Sequence, residues 1–274
     1  MSGLTSLDAR AAEALGEDCE EVLRFWFPDG EHIDHETMLK RMEWWFGGGT
    51  DAAIAGRFAP LLDQAVRGRL DHWSRRPRSR LALVIVLDQF SRSLYRGTPR
   101  AYAQDPTALR LVVQGLEIGH YAALQTVWEK TFSIMPLGHS EELRYADTAV
   151  VLAEGLIESG PPELRRILEH SASQARGHRD VIARFGRHPH RNAVLGRTST
   201  PEGSWRTSRA ATSCTCAGWP ASTEPLFHRV CVPSRSGARE CESPSRAPFR
   251  RRIRTLPAQS PSRPPPNGLP TRRK

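Results

Sequence analysis

The sequence predicts an all-α fold: an array of antiparallel helices around one buried central helix, followed by a disordered C-terminal tail. Three observations carry that expectation. The first is Leu81 to Leu87, LALVIVL, seven consecutive apolar residues. A segment that is apolar on every side has no solvent face and belongs at the centre of a fold. The second is the helical spacing of apolar residues in most other stretches, with short Gly- and Pro-containing turns between them. The third is that no other run reads as a strand, and one strand cannot make a sheet. Val84, Ile85 and Val86 are β-branched, so a buried parallel strand with Asp88 at its carboxyl end is the competing reading. Ser74 as a cap and Pro77 in a first turn favour the helix. The polar residues that follow, Asp88, Gln89, Arg92 and Arg96, must be paired or face a cavity. Continued as a helix, the segment sets Gln89, Arg92 and Arg96 on one face, with Asp88 one turn before Arg92.

The remaining elements follow in order. Glu17 to Phe27 predicts a helix with Val22, Leu23 and Trp26 on one face, stopped by Pro28-Asp29-Gly30. Glu36 to Phe46 is a second, with Met38, Leu39, Met42, Trp45 and Phe46 at helical spacing, and Gly47-Gly48-Gly49 ends it. Thr50 can cap the next. Asp51 to Trp73 is interrupted by Pro60 and Gly68, so it reads as two or three short helices. After the central helix, Asp105-Pro106 is an N-cap and first-turn pair for Thr107 to Ile118. Tyr121 to Ile134 reads as helical, with Pro136 and Gly138 breaking it. Ser140, followed by Glu141 and Glu142, starts a helix to about Ser159, and Glu163 to Phe185 is the next. Gly186 to Arg197 is a basic loop. Thr200-Pro201-Glu202 has the form of a helix start, but no amphipathic helix follows.

Charge is unevenly placed. The chain of 274 residues carries a formal net charge of +9. Residues 203–274 hold 14 basic and 3 acidic residues, which leaves 25 basic and 27 acidic residues before them. The body, 1–202, is therefore nearly neutral and is expected to form one domain. The tail holds 11 of the 21 prolines, and its composition cannot bury enough apolar surface to order itself. Its abrupt onset, and arginine rather than lysine as its basic residue, are expected of GC-rich coding DNA read in a shifted frame. Cys214, Cys216, Cys231 and Cys241 lie in the tail, and the body has only Cys19. The body is thus no disulfide scaffold, which fits a reducing compartment. The N-terminus lacks an apolar signal core, and no stretch approaches the roughly 18 apolar residues of a membrane span. A cytoplasmic protein without membrane contact is expected. The tail has few aromatics among its charges and no recognition module, so no specific nucleic-acid partner is expected.

Several stretches are similar to a known pattern. VLRFWF (Val22–Phe27), Trp45-Phe46, LDQFSRSLYRGTPRAYAQDPTAL (Leu87–Leu109), MPLGHSEEL (Met135–Leu143) and HRDVIARFGRHPHRNAVLGRTSTPE (His178–Glu202) resemble the bacterial domain-of-unknown-function family 924. The resemblance covers about residues 22–202. It implies an all-helical, tetratricopeptide-like bacterial protein without an established activity. This sequence departs from the pattern at Ser91 and Ser93, where the family usually has proline and asparagine. It departs again at Gly138, where glutamate is usual, and at Gly203, where the family continues into a helix.

The polar residues of these stretches suggest three chemistries. Arginine presents a fork of donors suited to carboxylate or phosphate. Arg92, Arg187 and Arg191 could converge on one anion, with Gln89 and Asn192 as neutral donors. The structural alternative is an Asp88–Arg92 pair within one helix and an Arg187 that ties the terminal loop to the core. His139, His178 and His190 are candidates for proton transfer, oriented by Asp88 or Glu142; each could equally be a helix cap or a buried hydrogen-bonding group. His188-Pro189-His190 with His178 or His139 matches no established zinc spacing, so neither metal nor cofactor is expected. The tryptophans Trp26, Trp44, Trp45, Trp73 and Trp128 stand beside Leu and Phe at helical spacing and read as core. The leading expectation is a pocket for a small anionic molecule, lined by Asp88, Gln89, Arg92, His139, His178 and the 187–192 loop. Hydrolysis is left open. The rival is a non-enzymatic scaffold that holds a peptide partner in a groove.

Overall fold

The computed structural model describes residues 19–28 and 35–199, and every regular element among them is helical. Helix α1 covers 19–26. Helix α2 (His35–Phe46) stops at the glycine run, where Gly48 takes φ 88°, a conformation that costs glycine nothing and strains any other residue. Helices α3 (Asp51–Arg57) and α4 (Ala59–Val66) are separated at Phe58, and Pro60 lies in the first turn of α4. After a 3-10 turn (Asp71–Arg75), α5 (Pro77–Ile85) runs into a π turn (Val86–Phe90) and then α6 (Ser91–Leu94). A second 3-10 turn (Pro99–Tyr102) precedes α7 (Asp105–Glu117). The chain continues through α8 (Val127–His139), α9 (Leu143–Ser159), a 3-10 turn (Pro162–Leu164), α10 (Arg165–Phe185) and a last 3-10 turn (Pro189–Arg191).

The α5–π–α6 segment is the centre. Every residue from Arg80 to Ser91 is buried. Helix α5 packs on α7 and α8, the π turn on α4 and α7, and α6 on α3. The strand alternative for Leu81 to Leu87 fails, because the run is α-helical to Ile85 and π-helical beyond it, with no strand among the described residues. Aromatic rings fill the adjoining space: Trp26 lies 5.7 Å from Phe90 and 5.4 Å from Phe132, centroid to centroid, and Trp45 Nε1 donates to the Trp26 carbonyl at 3.0 Å. Each large apolar side chain so buried contributes roughly 1.5–3 kcal/mol. Helices α8, α9 and α10 pack on one another through short connections.

Several boundaries differ from the sequence expectation. Helix α8 starts at Val127 rather than Tyr121, because Thr126 and Glu129 form a capping box. The Thr126 hydroxyl accepts from the Glu129 amide at 3.1 Å, and Glu129 Oε2 accepts from the Thr126 amide at 3.3 Å. Helix α8 also runs through Pro136 and Gly138 to His139. The proline removes one hydrogen bond, but α7, α9, α10 and α5 hold the helix on several sides. Ser74 does not cap α5; its hydroxyl donates to the Asp71 carbonyl within the preceding turn, and Arg76 is the N-cap. Thr50 precedes α3, but its hydroxyl is buried without a partner. Ser140 does not open α9, which begins after Glu142; its hydroxyl accepts from the Glu142 amide at 3.2 Å. No helix among the described residues is long and apolar enough to cross a membrane. The helix start at Thr200 and the tail, 203–274, lie outside the described residues.

Candidate functional site

The π turn adds one residue to a helical circuit, and such turns recur at functional sites. Asp88 sits within it and is 1% exposed. A carboxylate placed there needs donors, and three side chains supply them. Arg92, one turn on, donates Nη1 to Asp88 Oδ1 at 3.0 Å and to the Asp88 carbonyl at 2.6 Å. His139, delivered by the end of α8, places Nδ1 2.8 Å from the same Oδ1. Gln89 donates Nε2 to Oδ2. Burial alone would push the Asp88 carboxyl up. The Arg92 guanidinium, the His139 ring and the Gln89 amide outweigh it and hold the group well below the usual carboxylate range. An ionised Asp88 can only accept, so the hydrogen between it and His139 resides on Nδ1.

The network continues through Asp105. The sequence reading gives Asp105 the N-cap of α7, but Gln104 takes that place and Asp105 is the first helical residue. Its carboxylate is free to bridge two guanidiniums. Arg92 Nη2 donates to it at 3.0 and 3.1 Å, and Arg191 Nη1 at 2.9 Å. Both arginines lie over the Tyr102 ring, at 5.7 and 4.6 Å, an attractive cation–π arrangement. The order His139, Asp88, Arg92, Asp105, Arg191 thus alternates donors with carboxylates and joins the central helix to the last 3-10 turn.

Four imidazoles meet beside it. Ring centroids are 6.4 Å apart for His139 and His178, 5.6 Å for His178 and His188, and 5.3 Å for His188 and His190. Burial pushes His178 down to about 4, helped by His139, His190 and Arg191 and opposed by the Gly138 backbone. Burial, then Arg191 and the other nearby cations, likewise brings His190 down to about 4. His188 lies well below the usual imidazole range, through burial first and Arg191 next. Neither ring nitrogen of His188 has a partner, and Arg191 Nε and Asn192 Oδ1 are also buried without one. The terminal turn is held from the other side by Glu141, which accepts from the His188 amide at 3.0 Å and from Arg197 at 2.8 Å. Asn192 Nδ2 reaches Ser199 Oγ at 3.2 Å.

Of the residues expected at the site, Asp88, Gln89, Arg92, His139, His178, His190 and Arg191 come together, with Asn192 buried in the same turn. Arg187 is exposed and forms no ion pair among the described residues. Glu142 pairs with Arg144 at the surface, so it orients no histidine, and Arg96 pairs with Asp51. Sequence reasoning missed Asp105 as a bridge, and it missed Tyr102 and Glu141 altogether. Tyr102 and Glu141 lie in the stretches that carry the family resemblance, which was the available signal. Among the described residues, no group of three or more His, Cys, Asp or Glu side chains is placed to hold a metal ion.

The comparisons with known proteins agree with this picture of an all-helical protein. The model of a family described as "Bacterial protein of unknown function (DUF924)" matches residues 22–205, and the chain belongs to that family. It is similar to a solved structure from Agrobacterium tumefaciens, the protein of unknown function ATU0120. The two are 29% identical with a TM-score of 0.55, and the likeness covers 72% of this chain and 98% of that one. No curated protein matches.

Proposed function

We propose that this DUF924 member binds a small anionic molecule, a phosphorylated or carboxylated metabolite, where His139, His178 and His190 meet Arg191. Two unpartnered donors beside the imidazoles carry the reading: the Arg191 Nε–H, and the N–H that one His188 nitrogen must bear, are buried without acceptors. An anion would supply those acceptors and offset the cations that crowd the imidazoles. Asp88 permits a further step. With Nδ1–H given to Asp88, a neutral His139 keeps its lone pair on Nε2, the arrangement of an oriented general base. It could take a proton from water attacking a bound ester, so hydrolysis is the chemistry this dyad permits. A thermal-shift panel of phosphorylated and carboxylated metabolites tests the binding, because a ligand of the native state raises Tm. The rise is expected in the wild type and in Arg76→Ala, and is expected to vanish in Arg191→Gln and His190→Gln. No response beyond that to chloride at equal ionic strength would sink the reading.

One feature favours a second reading, a tetratricopeptide-like scaffold that holds a peptide. A surface depression of about 470 Å³ is lined by Glu21, Arg24, Phe25, Pro28, Trp44 and Arg57, a mixture of aromatic and charged groups suited to a peptide. The successive packing of α7 to α10 supports an array. Peptides selected from a random library should lose affinity for Trp44→Ala; selected peptides indifferent to that change count against the groove.

We further infer that 1–202 is the working domain, in the cytoplasm, and that 203–274 arises from a shifted reading frame. The family match reaches residue 205, close to the change of composition at Gly203.

A further inference from the structure

A second buried cation lies at the other end of the central helix. Arg80 is 7% exposed. It stands eight positions before Asp88 on a continuous helical segment, about 12 Å along the axis. Its guanidinium donates Nη1 to the Leu111 carbonyl at 2.8 Å, Nη2 to the Ser74 carbonyl at 2.5 Å and Nε to His120 Nδ1 at 3.1 Å. All three acceptors are neutral, and no carboxylate pairs with Arg80 among the described residues. Burial lowers its pKa with nothing opposing. A buried charge normally has a counter-charge. Three of the five guanidinium hydrogens are used, so two remain. Because His120 Nδ1 accepts from Arg80, the neutral ring carries its hydrogen on Nε2 and is a further donor. The chain also makes room for this guanidinium: a Cβ on Gly115 would stand 3.0 Å from Arg80 Cδ.

Arg80 and His120 line a cavity of about 20 Å³ whose other walls include Leu81, Val84, Val112, Tyr121 and Ser133. That is space for the two water-sized oxygens of one carboxylate and little more. We propose that this cavity receives the carboxylate of a small monocarboxylic acid, with Arg80 as its counter-ion and the apolar walls around its short alkyl body. The apolar lining disfavours strongly hydrated inorganic anions such as phosphate. The volume disfavours anything much larger than formate or acetate. The site shares no residue with the His139 cluster.

An amide NMR titration of the full-length protein at neutral pH tests the site directly. Acetate should give saturable shifts at Gly115, His120 and Tyr121. Acetamide, the neutral isostere, and sodium chloride at matched ionic strength should not, and pivalate should bind at least tenfold more weakly than acetate. Arg80→Gln should abolish the acetate response, and His139→Gln should leave it in place, which separates this site from the one proposed above. If Arg80→Gln does not fold, the comparison of acetate with acetamide on the wild type decides alone. Absence of saturable shifts at those amides, equal shifts with acetamide, or equal shifts with chloride overturns the proposal.

Discussion

Asp88 shows how much of the site hangs on one carboxylate. It accepts from Arg92, His139 and Gln89 while almost wholly buried, and Arg92 also serves Asp105. Arg92→Ala removes the cation shared by two carboxylates, leaving Asp88 to His139 and Gln89 and Asp105 to Arg191, and should lower stability by up to about 3–5 kcal/mol. Arg76→Ala, at an exposed residue, should cost under about 0.5 kcal/mol. Urea unfolding of the two variants measures the difference, and equal midpoints would show that Asp88 does not depend on Arg92. The histidines give a pH dependence whose sign follows from their direction. His178 and His190 titrate at about 4 in the folded protein, against an ordinary value of 6.5. Between those values the unfolded chain binds protons that the folded one does not, so stability is full above about pH 6.5 and falls as pH drops towards 4. The slope is at most about 1.4 kcal/mol per pH unit for each histidine. Below the unfolded value of Asp88, 3.8, loss of the depressed carboxylate adds to the decline. His178→Gln and His190→Gln should flatten the upper part of the Tm–pH curve; a curve unchanged in both would remove these two histidines from the account. Asp88, Gln89, Arg92 and His139 are legible in the sequence because an apolar run ends in charge and the histidine follows Pro136. Asp105 as a bridge is not legible. Asp-Pro spells a helix start with or without an arginine 86 positions away, and no periodicity connects the two.

Element boundaries divide in the same physical way. The helices with one apolar face, such as α2, α7 and α10, are readable from spacing, and α10 ends where expected, at Gly186 with φ 65°. The π turn is invisible for a specific reason. It falls where every residue from Arg80 to Ser91 is buried, so an extra residue per turn disturbs no apolar–polar phase that a reader could follow. Pro136 misleads in the opposite direction, because intrinsic preference says stop while packing on four neighbouring helices says continue. The capping box of α8 is present as Thr126 and Glu129 but is outweighed by the more conspicuous Gly119 and Tyr121. It yields a graded prediction. Thr126→Ala should cost about 1 kcal/mol, the usual value of a lost cap. Glu129→Gln should cost more, since Glu129 is 3% exposed and also receives Arg78. Denaturation midpoints in the reverse order would show that the Arg78 contact contributes little.

At the scale of the whole chain, charge is segregated. Residues 203–274 carry a net charge of +11, and the remainder is slightly acidic. A polycation of this kind should bind duplex DNA at low salt and release it near physiological salt, since counterion release drives such binding; sequence-selective binding that survives physiological salt would contradict the absence of a recognition module. The origin of the segment is a separate matter with its own test. Thirteen of its 14 basic residues are arginine, and the segment holds 11 prolines in 72 positions. The sequence Thr200-Pro201-Glu202 immediately before it has the form of a helix start. Selection for a basic arm would not require arginine over lysine, because either neutralises phosphate, whereas GC-rich DNA read out of frame yields arginine, proline and serine together. The expected result of re-reading verified coding DNA is that another frame continues from Glu202 with apolar residues at i, i+3 and i+4 and stops soon afterwards. A protein made from that frame should melt higher than the present chain, because an amphipathic helix buries apolar surface that its absence leaves exposed. Stops within a few codons in both alternative frames, or the absence of such a helix from both, would establish the tail as a genuine part of this molecule.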